Sequence, residues 1–284
     1  MSITTERIAA AAKKLCEAPG PSGRECAAYA AAKELLSPMG EVKRTPLGSL
    51  LCCVNEGKEG APHLAGDGSD HSIKIENLLI DTGFTAEMAA KLFAPGDIVT
   101  FAAKPVELQN KRLAGPALDD RIGCAAVIAA AEEIAAEKPD CRVTVLLSSM
   151  EEVGGQGAET GGFTSQPDYA IAVDVSFGDG FGCAPEKTSP LGGGTMLGYA
   201  PILDREFTMK LKKLAEENNI PLQHEPMGGR TGTDADELAT AGRGIKMALL
   251  SIPLRSMHTV AETIDPEDAA NTARLMALAA KEGF

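Results

Sequence analysis

The sequence predicts an α/β fold, a central sheet flanked by helices with a smaller β-rich unit inserted in it, on three observations. Two nearly continuous apolar runs, 142–147 and 169–175, have the length and composition of strands buried on both faces. Segments of helical period separate and follow them, the rhythm of a sheet with helices packed on it. Between residues 57 and 70 the chain turns polar and Gly-rich, and this breaks the rhythm where a loop or boundary is expected.

Taken in order, apolar residues recur at helical spacing from 3 to 36, interrupted by Pro19-Gly20-Pro21-Ser22-Gly23. This reads as helix, loop and second helix, with Ser22 as the second helix's cap. Residues 41–44 and 49–54 read as short strands broken by Pro46, Gly48 and Gly57. A short helix over 85–92 and a strand over 97–101 follow, then an Ala-rich helix over 123–135 and another opened by Gly157-Ala158. Residues 202–219 read as a helix, 248–252 as a further buried strand, and 266–282 as a closing helix with Asp265 as N-cap.

Of 284 residues, 44% are hydrophobic and 24% charged, which places the chain among ordinary globular proteins with a real core. Lys and Arg total 27 against 40 Asp and Glu, a net charge of −13 with no basic patch, so nucleic acid and anionic membranes are excluded as expected partners. No apolar run approaches the ~18–20 residues that span a bilayer. The opening Met1-Ser2-Ile3-Thr4-Thr5-Glu6-Arg7 lacks the basic-then-apolar layout of a signal peptide, so a cytoplasmic chain is expected. The seven cysteines are an odd number without zinc-finger spacing and predict reduced, mostly buried thiols.

Sites of α/β sheets gather at the carboxyl ends of strands. One apolar run leads into Glu151-Glu152, and the other carries Asp174 near its end. An adjacent pair of carboxylates is by itself usually a solvated surface feature. Its neighbours alter that reading: Asp119-Asp120 stand where a loop enters a helix, and His258 lies in Ser256-Met257-His258-Thr259-Val260-Ala261-Glu262. Carboxylates and an imidazole from separate strand ends are what divalent cations need, because the carboxylates neutralise charge and can bridge two ions. A further carboxylate beside the ions can take a proton from water, which gives a reason for two successive glutamates.

These segments resemble the tetrahedral-type aminopeptidases, a family of co-catalytic metallopeptidases that includes enzymes named glutamyl aminopeptidase and, misleadingly, endoglucanase. The resemblance covers most of the chain. It rests on Pro21-Ser22-Gly23, Ala117-Leu118-Asp119-Asp120-Arg121-Ile122-Gly123, Glu151-Glu152-Val153-Gly154 with Gly157-Ala158, Val173-Asp174-Val175, Gly232-Thr233-Asp234-Ala235, and Ile252-Pro253-Leu254-Arg255-Ser256-Met257-His258 with Glu262, in that order. It implies a zinc-peptidase-like fold with a mixed central sheet, a catalytic domain over 1–45 and 110–284, and at 46–109 the remnant of an inserted β-barrel dimerisation domain. The implied activity is removal of N-terminal residues from peptide substrates with two divalent cations, zinc, cobalt or manganese. Asp119 is implied as the bridging carboxylate, Glu152 and His258 as further ligands of one cation, Asp174 as ligand of the other, and Glu151 as general base toward a metal-bridged water. Gly232, Thr233, Asp234 and Arg255 resemble segments lining the substrate side of the cleft. Asp120 and Arg121 either orient the bridging carboxylate or serve folding. A homo-oligomer, commonly a tetrahedral dodecamer, is also implied.

One part of the family's pattern is absent: a His-x-Asp motif on an early strand, which supplies a further metal ligand. The histidines here are His63, His71, His224 and His258, and the text passes from His63-Leu64 directly to a stretch the family places well downstream. Three accounts stay open: the missing segment belongs to a longer protein, the deletion is genuine, or His63 takes the ligand's place. By themselves His63 and His71 read as exposed loop histidines and His224 as a surface residue. With Asp119 and Asp174 alone, the second cation position is the weaker, and only one position is then filled. Two other readings follow: a catalytically impaired or non-catalytic assembly subunit of the same fold, and a related metal-dependent carboxypeptidase or deacylase. Glu262 is open between a partner of His258 and the start of the last helix.

Overall fold

A computed structural model of the protein describes residues 3–18, 25–47, 49–55, 63–64, 84–95, 97, 103–180 and 182–284. In chain order its elements are α1 (Thr5–Cys16), α2 (Cys26–Leu36), β1 (Val42–Arg44), β2 (Leu50–Asn55), β3 (His63–Leu64), α3 (Ala86–Leu92), β4 (Val106–Glu107), β5 (Leu113–Gly115), α4 (Leu118–Glu137), β6 (Val143–Leu147), α5 (Gln156–Ser165), β7 (Tyr169–Phe177), β8 (Thr195–Tyr199), α6 (Arg205–Glu217), β9 (Leu222–Pro226), α7 (Ala235–Ala239), β10 (Lys246–Arg255), β11 (Glu262–Ile264) and α8 (Pro266–Lys281).

The local chemistry accounts for most helix ends. Thr4 caps α1 by accepting from the Arg7 N–H at 3.3 Å, and Asp265 caps α8 by accepting from Glu267 at 3.1 Å. The helix expected over 202–219 starts later, at Arg205, because Asp204 takes the Phe207 N–H at 2.8 Å and acts as its cap. The expected Ser22 cap lies outside the described residues. Glu25 precedes α2 and makes no cap bond; its carboxylate accepts from the Met150 N–H at 3.1 Å instead. Pro21-Ser22-Gly23 and His71 are also outside the described residues, as is the strand expected over 97–101 apart from Asp97.

The sheet is mixed. β7 and β10 run parallel in register from Lys246↔Tyr169 to Leu254↔Phe177, and β3 runs parallel on the other edge of β7. Antiparallel β11, β5 and β4 follow at the end of β10, while β8 pairs antiparallel with its middle and carries β9 in parallel. β6 pairs antiparallel with β2, and β1 extends that ribbon. His63, read as an exposed loop histidine, therefore stands on a strand of the larger sheet; the pairing comes from β7, more than a hundred residues away in the chain, which local polarity cannot reveal.

The two faces of the central strands are covered unequally. Ile171, Val173 and Val175 of β7, with Ala248, Leu250 and Ile252 of β10, join one core with α1, α4, α6 and α8. On the opposite face Ala170, Ala172, Met247 and Leu249 meet a smaller core from Ala158 of α5 and Ala235 and Leu238 of α7. Burying large side chains such as Phe207, Leu211 and Leu214 stabilises α6 by about 1.5–3 kcal/mol each. Because strand side chains alternate, Asp174 and Ser176 fall on the thinly covered face with Ala172. Cys16, Cys52 and Cys141 are buried, whereas Cys26 and Cys183 are exposed. Among the described residues no helix is long and apolar enough to cross a membrane.

Candidate metal centre

The first turn of α4 is unwound. Ala117 has φ 56°, and Asp119 (φ −78°, ψ 112°) and Asp120 (φ −110°, ψ 49°) leave the helical region. Asp119 thereby presents its carboxylate at the helix's entrance, with its side chain only 2% exposed. After β6, Glu151 and Glu152 sit on a single 3-10 turn framed by Met150 (φ 62°), Gly154 (φ 124°) and Gly155 (φ 69°). Gly155 is required there: besides its positive φ, a Cβ would stand 3.1 Å from Asp234 Oδ1 and 2.9 Å from Glu237 Cγ. His258 leaves β10 on another tight turn, with φ 60°.

These three loops converge. Asp119, Glu152 and His258 each offer a ligand atom within 4.8 Å of the others, and His258 Nε2 lies 3.1 Å from Asp119 Oδ2. Glu262 ties the loops together, its Oε2 accepting from the Asp119 N–H at 3.0 Å and its Oε1 from the His258 N–H at 2.9 Å. It lies on β11, not at the start of the last helix. The contact with Asp119 pushes the His258 imidazole up to about 9 against the opposing effect of burial, with the charges of Asp119, Glu152 and Glu262 adding to it.

Asp174 is fully buried beside this cluster. Burial raises its carboxyl well above the usual range, and the charges of Asp120, Asp119 and Glu151 add to the shift. Asp120 is raised in the same way, by burial first and Asp119 next, although the Gly123 N–H donates to its Oδ1 at 3.1 Å. Asp234, also fully buried, is raised by burial, while Ser148 Oγ donates to its Oδ2. Among the described residues, Oδ1 of Asp119, Oδ2 of Asp120, Oδ2 of Asp174 and Oδ1 of Asp234 are buried without a hydrogen-bond partner. A native chain rarely leaves so many acceptors unmet. Several desolvated carboxylates beside one imidazole are repulsive by themselves, and a divalent cation relieves that repulsion while taking up the vacant lone pairs. Asp119, Glu152 and His258 thus fit a hard-to-borderline cation such as zinc, cobalt or manganese.

The predicted substrate-side residues are distributed around this centre. The Gly232 N–H donates to Asp236 Oδ2 at 3.1 Å, and Thr233 Oγ1 shares a 2.8 Å hydrogen bond with Thr231 Oγ1. Arg255 engages Asp179, with Nη2 at 2.6 Å from Oδ1 and Nε donating to the Asp179 carbonyl. Arg121 donates to the carbonyls of Leu15 and Ala18 and so fastens the end of α1 to α4. His224 is exposed, with the Tyr199 hydroxyl 3.0 Å from its Nδ1. A cleft of about 300 Å³ opens beside Asp174, lined in part by Ser176, Glu225, Thr233, Ser251 and Met257. Sequence reading missed Ser176, Glu225 and Ser251 as members of one site; the only available signal was their place at alternating positions on predicted or unrecognised strands.

An α/β fold with a carboxylate and imidazole cluster on the loops of its sheet defines the class, a protein built around a candidate metal centre. Residues 57–275 match the M42 glutamyl aminopeptidase family, and the chain belongs to that family. Lysyl aminopeptidase of Pyrococcus furiosus is 33% identical over 218 residues, covering 75% of this chain and 62% of that protein. The chain spans about three-fifths of the length of the curated relatives it matches. Among solved structures, aminopeptidase APDkam598 of Desulfurococcus kamchatkensis superposes with TM-score 0.86 at 23% identity, over 98% of this chain and 96% of that one. The TET1 peptidase of Pyrococcus horikoshii, described as assembling into a tetrahedron or an octahedral shell, gives TM-score 0.79 at 24% identity over 97% and 99%. These structures share the fold.

Proposed function

We propose that the protein is a metal-dependent aminopeptidase that removes N-terminal residues from peptides. The observation that carries this reading is the convergence of Asp119, Glu152 and His258 within 4.8 Å, with Asp119 Oδ1 buried and unmet among the described residues. In this reading Asp119, Glu152 and His258 hold one divalent cation, and Asp119 with Asp174 the weaker second. When bound, the cations supply Lewis acidity to a water and to the scissile carbonyl. Glu151 then takes the water's proton and returns it to the leaving amine. Its charge is felt by Asp120, Asp174 and Asp234, which supports a position at the centre. Glu262 keeps two ligand-bearing loops in register through their backbone amides. Gly232, Thr233, Asp234 and Arg255 border the substrate side.

The same reading includes a cytoplasmic homo-oligomer in which residues 46–109 stand in place of a larger inserted β-domain; the three-fifths coverage of the relatives supports the shortening. The test is metal analysis of the purified chain combined with assays on free-amine and N-acetylated peptides of one sequence. Bound divalent cation and release of the N-terminal residue from the free-amine peptide alone are expected. Equal cleavage of the blocked peptide, or bound cation without any hydrolysis, overturns the proposal.

A further inference from the structure

The cleft beside Asp174 contains a carboxylate that the proposed chemistry does not use. Glu225, on β9, is half-buried; its Oε2 accepts from Ser251 Oγ at 2.6 Å and its Oε1 from Ser176 Oγ. The strand registers set this group on the sheet face that carries Asp174. Ser251 is the β10 partner of Asp174, and Ser176 lies two residues beyond Asp174 on β7. β8 relays the face outward, since Met196 pairs with Ser251 and Gly198 with Glu225. Both hydroxyl donors are neutral, and among the described residues no cationic side chain forms an ion pair with Glu225; Glu186 and Lys187 stand at the exposed rim of the same cleft.

Burial raises the Glu225 carboxyl above its ordinary range, with the two serines working against the shift. A partly desolvated carboxylate held by two neutral hydroxyls retains unused lone pairs, and a cationic donor is the group that gains most there. Two strand residues span about 7 Å, comparable to the reach of the four-carbon stem of a lysine side chain. A substrate with its scissile carbonyl at the metal centre can therefore bring a side-chain cation to Glu225, while its own α-amino group stays close to the centre.

We propose that Glu225 is a specificity-determining residue that accepts the ammonium or guanidinium of a Lys or Arg at the substrate's N-terminus. This assignment rests on the aminopeptidase reading for its placement of the scissile bond. The test uses the cation-loaded full chain and its Glu225→Gln variant, the variant's cation content and thermal midpoint serving to verify folding. Two ratios are read: kcat/KM for lysyl over norleucyl p-nitroanilide, and affinity for L-lysine over L-norleucine by calorimetry. The wild type is expected to favour lysine by about 10-fold or more, and Glu225→Gln to lower both ratios by about 10–100-fold, the value of a hydrogen bond to a charged group. A wild type without preference for lysine, a ratio unchanged by Glu225→Gln, or binding of neither amino acid overturns the assignment. Glu225-dependent lysine binding by a chain that hydrolyses no peptide would overturn the aminopeptidase reading and, with it, the substrate role, leaving Glu225 as the acceptor of a bound basic amino acid. Hydrolysis without basic preference would overturn this assignment alone.

Discussion

Asp268 and Asp174 are both fully buried, and burial raises both carboxyls, yet their oxygens are treated differently. Asp268 accepts the Gly192 N–H on Oδ2 and the Gly194 N–H on Oδ1, each at 2.7 Å, and so pins the loop before β8 to the first turn of α8. Among the described residues Asp174 accepts only from the adjoining Val175 amide at 2.6 Å, and its other oxygen, like Oδ1 of Asp119, has no partner. A buried acid with every oxygen met is part of the scaffold. One with vacant lone pairs, crowded by others of its charge, carries an electrostatic cost that a ligand can offset. The contrast separates buried acids whose oxygens the scaffold meets from those it leaves open to a ligand.

The largest expected effect breaks the contrast if it fails. Glu151→Gln should lower kcat by about 10²–10⁴-fold, the range of general-base catalysis, with cation content by elemental analysis unchanged. A variant that kept turnover and only lost stability would put Glu151 with the scaffold acids. Next in size, Asp174→Asn should weaken cation binding yet raise the stability of the chelator-treated chain by about 1–3 kcal/mol, because it removes a buried charge crowded by other carboxylates while keeping the acceptor for the Val175 amide. Asp268→Asn at about pH 4–5, where the carboxyl's contribution is present, should lower stability by a similar ~1–3 kcal/mol, since one backbone amide loses its acceptor. Urea unfolding of both variants measures the opposition in sign; the same sign for both would dissolve the comparison.

The smallest effect concerns pH. Asp268 is pushed up to about 7 by burial, against about 3.9 when unfolded. The folded state therefore binds this proton more tightly, and the contribution to stability is fully present below about pH 4 and is lost as pH rises through about 7. Its slope is at most about 1.4 kcal/mol per pH unit. Asp268→Asn should flatten that slope in urea unfolding of the chelator-treated chain between pH 4 and 7, whereas Glu225→Gln should leave Asp268's contribution intact.

Much of the architecture was legible because it rests on short-range order. The period of α1, α4, α6 and α8 and the unbroken apolar runs of β7 and β10 each follow from neighbouring residues. β9, by contrast, reads Leu222-Gln223-His224-Glu225-Pro226, too polar to suggest a strand; β8 supplies its backbone pairing. α7 and β11 are too short for a periodic signal. The chain also hides that Asp174 lies inside a strand that continues to Phe177, since the run loses its apolar character at Ser176. Glu262 resembled a helix start for a similar reason, and only pairing with β5 makes it part of the sheet.

The sequence by itself marked Asp119, Glu151, Glu152, Asp174 and His258 as candidates, because residue type and the strand and helix signals next to them place carboxylates and an imidazole at element ends, while the role of each as ligand or base was implied only by the family resemblance. The tertiary structure decided which carboxylates are met and which are not, that Glu262 joins the Asp119 and His258 loops, and that Glu225 shares a face with Asp174. Those features depend on strand pairings and desolvation between segments tens to more than a hundred residues apart, and no local pattern encodes the solvent that a distant segment will exclude.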